Sequence, residues 1–193
     1  ACSAFGVPVV GGNVSLYNAS EGTDIDPTPV VGLLGLIDDL GAVPPGAGLV
    51  DGHRLVLIGP EQDGLGGSEW ARATGRPRQG DLPALDLRLH SAVADVVRGL
   101  VAEGAVSGVH DVASGGLGLC LAEMAVASGT GFTVDGVADH RGLFSEAPSR
   151  VVVCVPPDRE AEVVARADAA GVSARVLGPA GGDRLVVTGL VDV

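Results

Sequence analysis

The chain has 193 residues, 46% of them hydrophobic, and a formal net charge of −12. That length holds one good-sized domain, or one domain and a piece of another. The acidic balance and the lack of a polybasic patch argue against general nucleic-acid binding, and no apolar run approaches the ~20 residues of a membrane-spanning helix. Phosphate ligands remain open, because backbone N–H groups and Mg²⁺ can hold them without showing in a charge count.

The chain opens at Ala1 and its only methionine is Met124, which predicts a fragment of a longer protein. Nothing at its start reads as a signal peptide. The three cysteines, Cys2, Cys120 and Cys154, form no C-x-x-C pair, which argues against a zinc ribbon or a redox motif. Cys120 and Cys154 lie in apolar stretches and read as small core residues in a reducing, cytoplasmic setting.

In chain order, residues 1–6 read as the end of a helix stopped by Gly6. Residues 7–10 predict a short strand leading into Gly11 and Gly12. Residues 30–37 predict a strong strand after the rigid Asp26-Pro27-Thr28-Pro29 stretch. Pro44-Pro45-Gly46 marks a connection, and a boundary is expected near residues 40–50. Residues 54–58 predict a strand closed by Gly59-Pro60, followed by a glycine-rich loop over 64–67 and a short helix capped by Ser68.

The clearest helix spans 86–103, with an apolar stripe of Leu89, Val93, Val97 and Leu100 and a stop at Gly104. A strand over 106–112 leads to a helix capped by Ser114, with the stripe Leu117, Leu121, Met124 and Ala125, ending at Gly129. Strands follow over 132–134 and 150–155, then a helix from Asp158 to Ala170 stopped by Gly171. Strands over 174–177 and 184–188 complete the pattern. Alternating and adjacent strands together predict a layered α/β fold of mixed α+β order.

Four segments could carry chemistry. In Gly11-Gly12-Asn13-Val14-Ser15, the glycines allow close approach to the backbone, Asn13 offers a hard oxygen for Mg²⁺, and Ser15 offers a hydroxyl. The same residues are also ordinary turn chemistry, and no Gly-Lys-[Ser/Thr] of a Walker A loop follows. In Val109-His110-Asp111-Val112-Ala113-Ser114-Gly115-Gly116-Leu117, a strand runs into a helix N-terminus that could meet an anion. Alternatively, His110 and Asp111 bond within the domain. Gly64 to Trp70 could be a phosphate loop or a structural helix start with Trp70 buried. Glu146 and Arg150 read as a structural ion pair.

Taken together, these segments resemble a known family. Val-Pro-Val-Val-Gly-Gly-Asn-Val-Ser-Leu-Tyr-Asn, Asp-Pro-Thr-Pro-Val-Val-Gly, Gly-Gly-Ser-Glu-Trp, His-Asp-Val-x-x-Gly-Gly-Leu, Leu-Ala-Glu-Met-Ala and Leu-Phe-Ser-Glu-x-Pro-Ser-Arg occur in this order. The set resembles the C-terminal portion of the phosphoribosylformylglycinamidine synthases in their stand-alone, small form. The later segments also echo aminoimidazole ribonucleotide synthase, selenophosphate synthetase and thiamine-monophosphate kinase.

The resemblance implies an ATP-dependent carbon–nitrogen ligase of purine biosynthesis. Such an enzyme converts formylglycinamide ribonucleotide, ATP and ammonia from glutamine to the amidine, ADP and phosphate. It implies that residues 1–45 end a second ATP-binding-type domain and that 46–193 form a C-terminal-type domain lacking its final helix. It assigns ATP binding to Gly12, Mg²⁺ to Asn13 and substrate contact to Ser15. His110 and Asp111 stay as secondary candidates, since Ala113-Ser114 departs from the family's usual Ser-Asp. The implied partners are a glutaminase subunit and a small accessory subunit. No match is found for the family's catalytic histidine, nucleotide-binding lysine or acidic Mg²⁺ ligands, so the isolated chain is expected to be inactive. The alternatives are another ATP-using member of the wider superfamily, or a non-catalytic scaffold domain.

Overall fold

The computed structural model describes residues 2–36, 43–76 and 80–193. The chain divides into two units, Ala1–Val43 and Pro44–Val193. In the first unit, Cys2–Phe5 makes one 3₁₀ turn and Gly6 follows at φ +64°. Two short strands, β1 (Ala19–Ser20) and β2 (Thr23–Asp24), form an antiparallel hairpin. Its turn places Glu21 and Gly22 both at positive φ, the pattern of a type I′ turn.

The strands expected over 7–10 and 30–37 are not formed over 7–10 and 30–36; Ile37 lies outside the described residues. Val30 is 96% exposed and Leu34 91% exposed. An apolar run becomes a strand only when neighbouring strands accept its hydrogen bonds and bury its side chains, and among the described residues nothing pairs with these.

The second unit is built on a four-stranded antiparallel sheet. Its strands are β3 (Arg54–Ile58), β4 (Gly108–Asp111), β6 (Val151–Val155) and β7 (Ala174–Pro179), in the order β4-β6-β3-β7. β3 and β6 pair in direct register, Arg54 opposite Val155 and Ile58 opposite Val151. Alternation then sorts their side chains into two cores. Leu55, Leu57, Val152 and Cys154 enter one core. Val56, Ile58, Val153 and Val155 enter the other. A strand buried on both faces reads as an unbroken apolar run, which is why Leu55 to Ile58 and Val151 to Val155 show no polar alternation.

The core behind Val56 and Ile58 is closed by α2 (Leu87–Ala102) and α5 (Glu160–Ala169). Asp86 caps α2, accepting from the N–H groups of Arg88 and Leu89. Asp158 does not cap α5. It lies in the 3₁₀ turn Pro157–Arg159 that leads into the helix, and no side chain caps that helix start. Proline just inside a helical turn already lacks one of the N–H groups that a cap would satisfy.

The opposite core holds α3 (Gly116–Ser128), with Leu117, Leu121 and Met124 buried. It also holds a three-stranded sheet of β5 (Phe132–Val134), β8 (Leu185–Val187) and β9 (Val191–Asp192). β5 and β8 run parallel, while β8 and β9 run antiparallel. Two short helices complete the unit: α1 (Glu69–Ala73), capped by Ser68, and α4 (His140–Phe144), capped by Asp139. The architecture is a mixed α/β arrangement in layers.

Candidate functional site

In the first unit, Gly12, Asn13 and Ser15 lie on one exposed run without regular secondary structure. Gly12 holds φ at +155°, a region that favours glycine. The Asn18 side chain donates to the Ser15 carbonyl oxygen at 3.0 Å, which fixes the turn after the run. Asn13 is therefore open to solvent, and its amide oxygen has the chemistry of a hard-cation ligand. Among the described residues, no group of three His, Cys, Asp or Glu side chains is arranged to hold a metal ion.

In the second unit, His110 and Asp111 end β4. The Nδ1 atom of His110 lies 2.8 Å from the Asp111 carbonyl oxygen, and Nε2 lies 3.2 Å from Glu123 Oε2 on α3. The ring thus ties the strand end to the helix that follows it. The Asp111 carboxylate points outward, with its side chain 74% exposed, 3.6 Å from Nδ1. The pair bonds within the unit, and it shares a small pocket with Ser114, Cys120 and Glu123.

Ser114 does not cap α3. The N-cap is Gly115 at φ +79°, with no side-chain cap of its own. Glu146 supplies the missing acceptor: its Oε1 accepts from Gly115 N at 2.7 Å and from Glu69 N at 2.7 Å. One carboxylate therefore joins the start of α1 to the loop before α3. The next residue, Gly116, sits at φ +66°, and a Cβ there would meet the Ser145 carbonyl oxygen at 2.6 Å. At Gly116 the loop packs backbone against backbone, whereas a Cβ at Gly115 would meet the Leu119 side chain at 2.6 Å.

Glu146 and Arg150 do not form the expected ion pair. Arg150 is 3% exposed; its Nε donates to Ala147 O at 3.1 Å and its Nη2 donates to Ser145 O. Burial pushes this guanidinium below its ordinary pKa. The sequence pattern showed both residues but not their separation, because a tight loop turned the two side chains to different partners. Trp70 serves packing, stacking on Phe144 with ring centres 4.7 Å apart and planes 13° apart.

Two clefts meet at Arg150. One, of about 330 Å³, is lined by Glu61, Asp63, Asp139, Arg150 and Arg175 among others. Its acids are matched: Arg175 pairs with Glu61 at 2.5 Å and Arg141 with Asp63 at 3.4 Å. Asp139 accepts from the N–H groups of Gly142 and Arg141, which hold its carboxyl below the usual range. The other cleft, of about 400 Å³, is lined by His90, Asp111, Ala113, Glu146, Ser149 and Arg150 among others.

Burial pushes the Cys120 thiol up to about 12, and Cys154 is fully buried in the same core. A thiolate-selective reagent at neutral pH is therefore expected to label Cys2, which is exposed, and to reach Cys120 and Cys154 only after denaturation. Mass spectrometry of the labelled native chain checks this; rapid modification at Cys120 would contradict the packed core.

Residues 50–189 match the family described as AIR synthase related protein, C-terminal domain. The chain is also similar to curated phosphoribosylformylglycinamidine synthase subunits PurL. It is 40% identical to that of Allorhizobium ampelinum over 100% of this chain and 26% of that protein. It is 46% identical to that of Acidiphilium cryptum over 96% of this chain and 26% of that protein. The chain thus spans about a quarter of the length of the relatives it matches.

Among solved structures, Thermotoga maritima PurL complexed with FGAR aligns with a TM-score of 0.65 at 18% identity, covering 76% of this chain and 27% of that one. A hydrogenase maturation protein HypE in complex with ATP aligns with a TM-score of 0.53 at 20% identity, covering 75% of this chain and 49% of that one. At such identities these are likenesses of fold. No helix among the described residues is long and apolar enough to cross a membrane.

Proposed function

The chain belongs to the AIR synthase related protein family, whose C-terminal domain it carries, and from that premise we propose that it is part of a phosphoribosylformylglycinamidine synthase. The supporting observation is its similarity to PurL subunits along its whole length, at 40% identity over 100% of the chain. The proposed reaction is ATP-dependent amidine formation from formylglycinamide ribonucleotide and ammonia. ATP activates the amide oxygen, and ammonia displaces phosphate.

On this reading, residues 1–45 complete an ATP-binding-type domain and 46–193 form the C-terminal-type domain. Gly12 contacts ATP, with a backbone that a side chain would obstruct. Asn13 gives one oxygen to Mg²⁺, and Ser15 contacts the substrate. Mg²⁺, when bound, would neutralise phosphate charge; its remaining ligands must come from other parts of the full protein. His110 and Asp111 stay outside this assignment as secondary candidates, since both bond within their own unit. The proposed partners are a glutaminase subunit and a small accessory subunit, in keeping with the solved structure of PurLQS from Thermotoga maritima. The proposed location is the cytoplasm.

The test is Asn13→Ala in the full-length subunit. Loss of a hard ligand should weaken Mg²⁺-nucleotide binding by roughly tenfold or more. Calorimetric titration measures this directly. Unchanged nucleotide affinity and turnover would remove Asn13 from the site.

A further inference from the structure

Among the described residues other than glycine, only Glu21 and Ser149 hold a positive φ. Glu21 turns the exposed hairpin between β1 and β2. Ser149 holds φ +68° in the loop before β6 and is 8% exposed. A residue with a side chain adopts that region rarely, and such positions cluster where a side chain must be aimed. The Ser149 Oγ lies 3.1 Å from Nδ1 of His90. His90 stands one turn into α2, its N–H donating to the Asp86 carbonyl oxygen at 2.9 Å. The imidazole is therefore carried by a capped helix, a more rigid support than a loop.

A hydroxyl within hydrogen-bond reach of an imidazole nitrogen is the arrangement that makes serine a usable nucleophile, because the ring can take its proton. Both side chains line the cleft of about 400 Å³. Val93, Ala94, Val112 and Pro148 give that cleft apolar wall. Its acids are Asp111 and Glu146, and its cation, Arg150, is bonded to the carbonyl oxygens of Ala147 and Ser145. The two carboxylates disfavour an anionic ligand and favour the imidazolium that forms when His90 takes a proton. Apolar wall and negative charge together select a neutral ester with a small apolar acyl group.

We propose that Ser149 and His90 form a nucleophile–base pair that accepts the acyl group of a small neutral ester and passes it to water. The Ser149 hydroxyl donates to Nδ1. Its oxygen attacks the ester carbonyl carbon as the hydroxyl proton moves to Nδ1. The bond to the leaving alkoxide breaks, and the alkoxide takes that proton and departs as the alcohol. Water then attacks the acyl-serine, giving a proton to Nδ1; the carboxylic acid leaves, and the proton returns to the Ser149 oxygen. The balance is ester plus water to acid plus alcohol. Both residues lie within the second unit, so this site and the roles assigned to Gly12, Asn13 and Ser15 can fail separately.

The probe is diisopropyl fluorophosphate, a neutral reagent whose fluoride is displaced by an activated serine oxygen. The whole native chain should gain one adduct, which peptide mass spectrometry places on Ser149. Ser149→Gly should remove that adduct and keep the fold, because glycine accepts φ +68° without strain. His90→Gln can still hydrogen-bond to Ser149 but cannot take its proton, so labelling should slow by about 100-fold or more. Should His90→Gln fail to fold, the pH profile of wild-type labelling decides. A rate that levels off once a single group has lost its proton supports the pair; a rate first order in hydroxide throughout overturns it. No adduct on Ser149 in the native chain would also overturn the proposal. So would an unchanged rate in folded His90→Gln, or equal labelling of Ser149 after denaturation, since a serine that only braces the loop against α2 predicts both.

Discussion

Replacing Gly59 with alanine is expected to destabilise the second unit by about 3 kcal/mol or more, among the largest effects of any single methyl group in this chain. Gly59 closes β3 at φ +112°, outside the conformations that a side chain tolerates. Space is lacking as well: an added Cβ would lie 2.0 Å from the Ser149 carbonyl oxygen and 3.1 Å from Arg150 Cα. Both obstacles are backbone, so no rotamer change relieves them. The glycine cannot slide away either, because its N–H donates to Ser173 O at 2.8 Å and its carbonyl accepts from Ser173 Oγ at 2.7 Å. Relief must come from moving the 149–150 backbone, which carries the buried guanidinium. Denaturant unfolding followed by circular dichroism gives the loss directly. A loss under about 1 kcal/mol would mean that this corner yields easily and is not fixed by packing.

The second large effect is expected at Leu121. It is fully buried in the core between the main sheet and α3, alongside Met124, Val152 and Cys154. Leu121→Ala removes a branched side chain from a site closed by a sheet on one side, so the void cannot collapse freely. A loss of about 3 kcal/mol is expected. Leu121→Met conserves volume and should cost under about 1.5 kcal/mol. Equal losses for the two variants would point to a polar or backbone cause in place of the cavity.

Which parts of the fold the sequence reveals depends on where each residue's partner lies. Arg54 to Ile58 and Val151 to Val155 stand out because burial on both faces leaves an unbroken apolar run. The helix Leu87–Ala102 announces itself through its 3.6-residue stripe and its Asp86 cap, both local signals. Val30 to Leu36 carries the same apolar signal as β3, yet it forms no strand, since composition records an appetite for pairing and not the presence of a partner.

The cap of α3 was hidden for a related reason. Ser114 stands where a local cap is usual, but the acceptor comes from Glu146, 31 residues away from Gly115. No window of neighbouring residues contains that bond. The Glu146 and Arg150 side chains look complementary by spacing, and only the loop's geometry separates them. For Gly12, Asn13 and Ser15 the order of information is reversed. Their roles come from resemblance, and the exposed run that holds them adds only the direction in which Asn13 is open.

The pairing of β3 also has a consequence for how the protein is made. β3 ends at Ile58, but both of its neighbours, β6 and β7, lie about a hundred residues further along the chain. A ribosome adding roughly 5–20 residues per second leaves Leu55 to Ile58 without a sheet for about 5–20 s, a period in which they are open to wrong partners. The helix Leu87–Ala102 emerges within that interval and carries the apolar face that later covers Val56 and Ile58. Synthesis therefore delivers a cover for the strand before it delivers the strand's hydrogen-bonding neighbours.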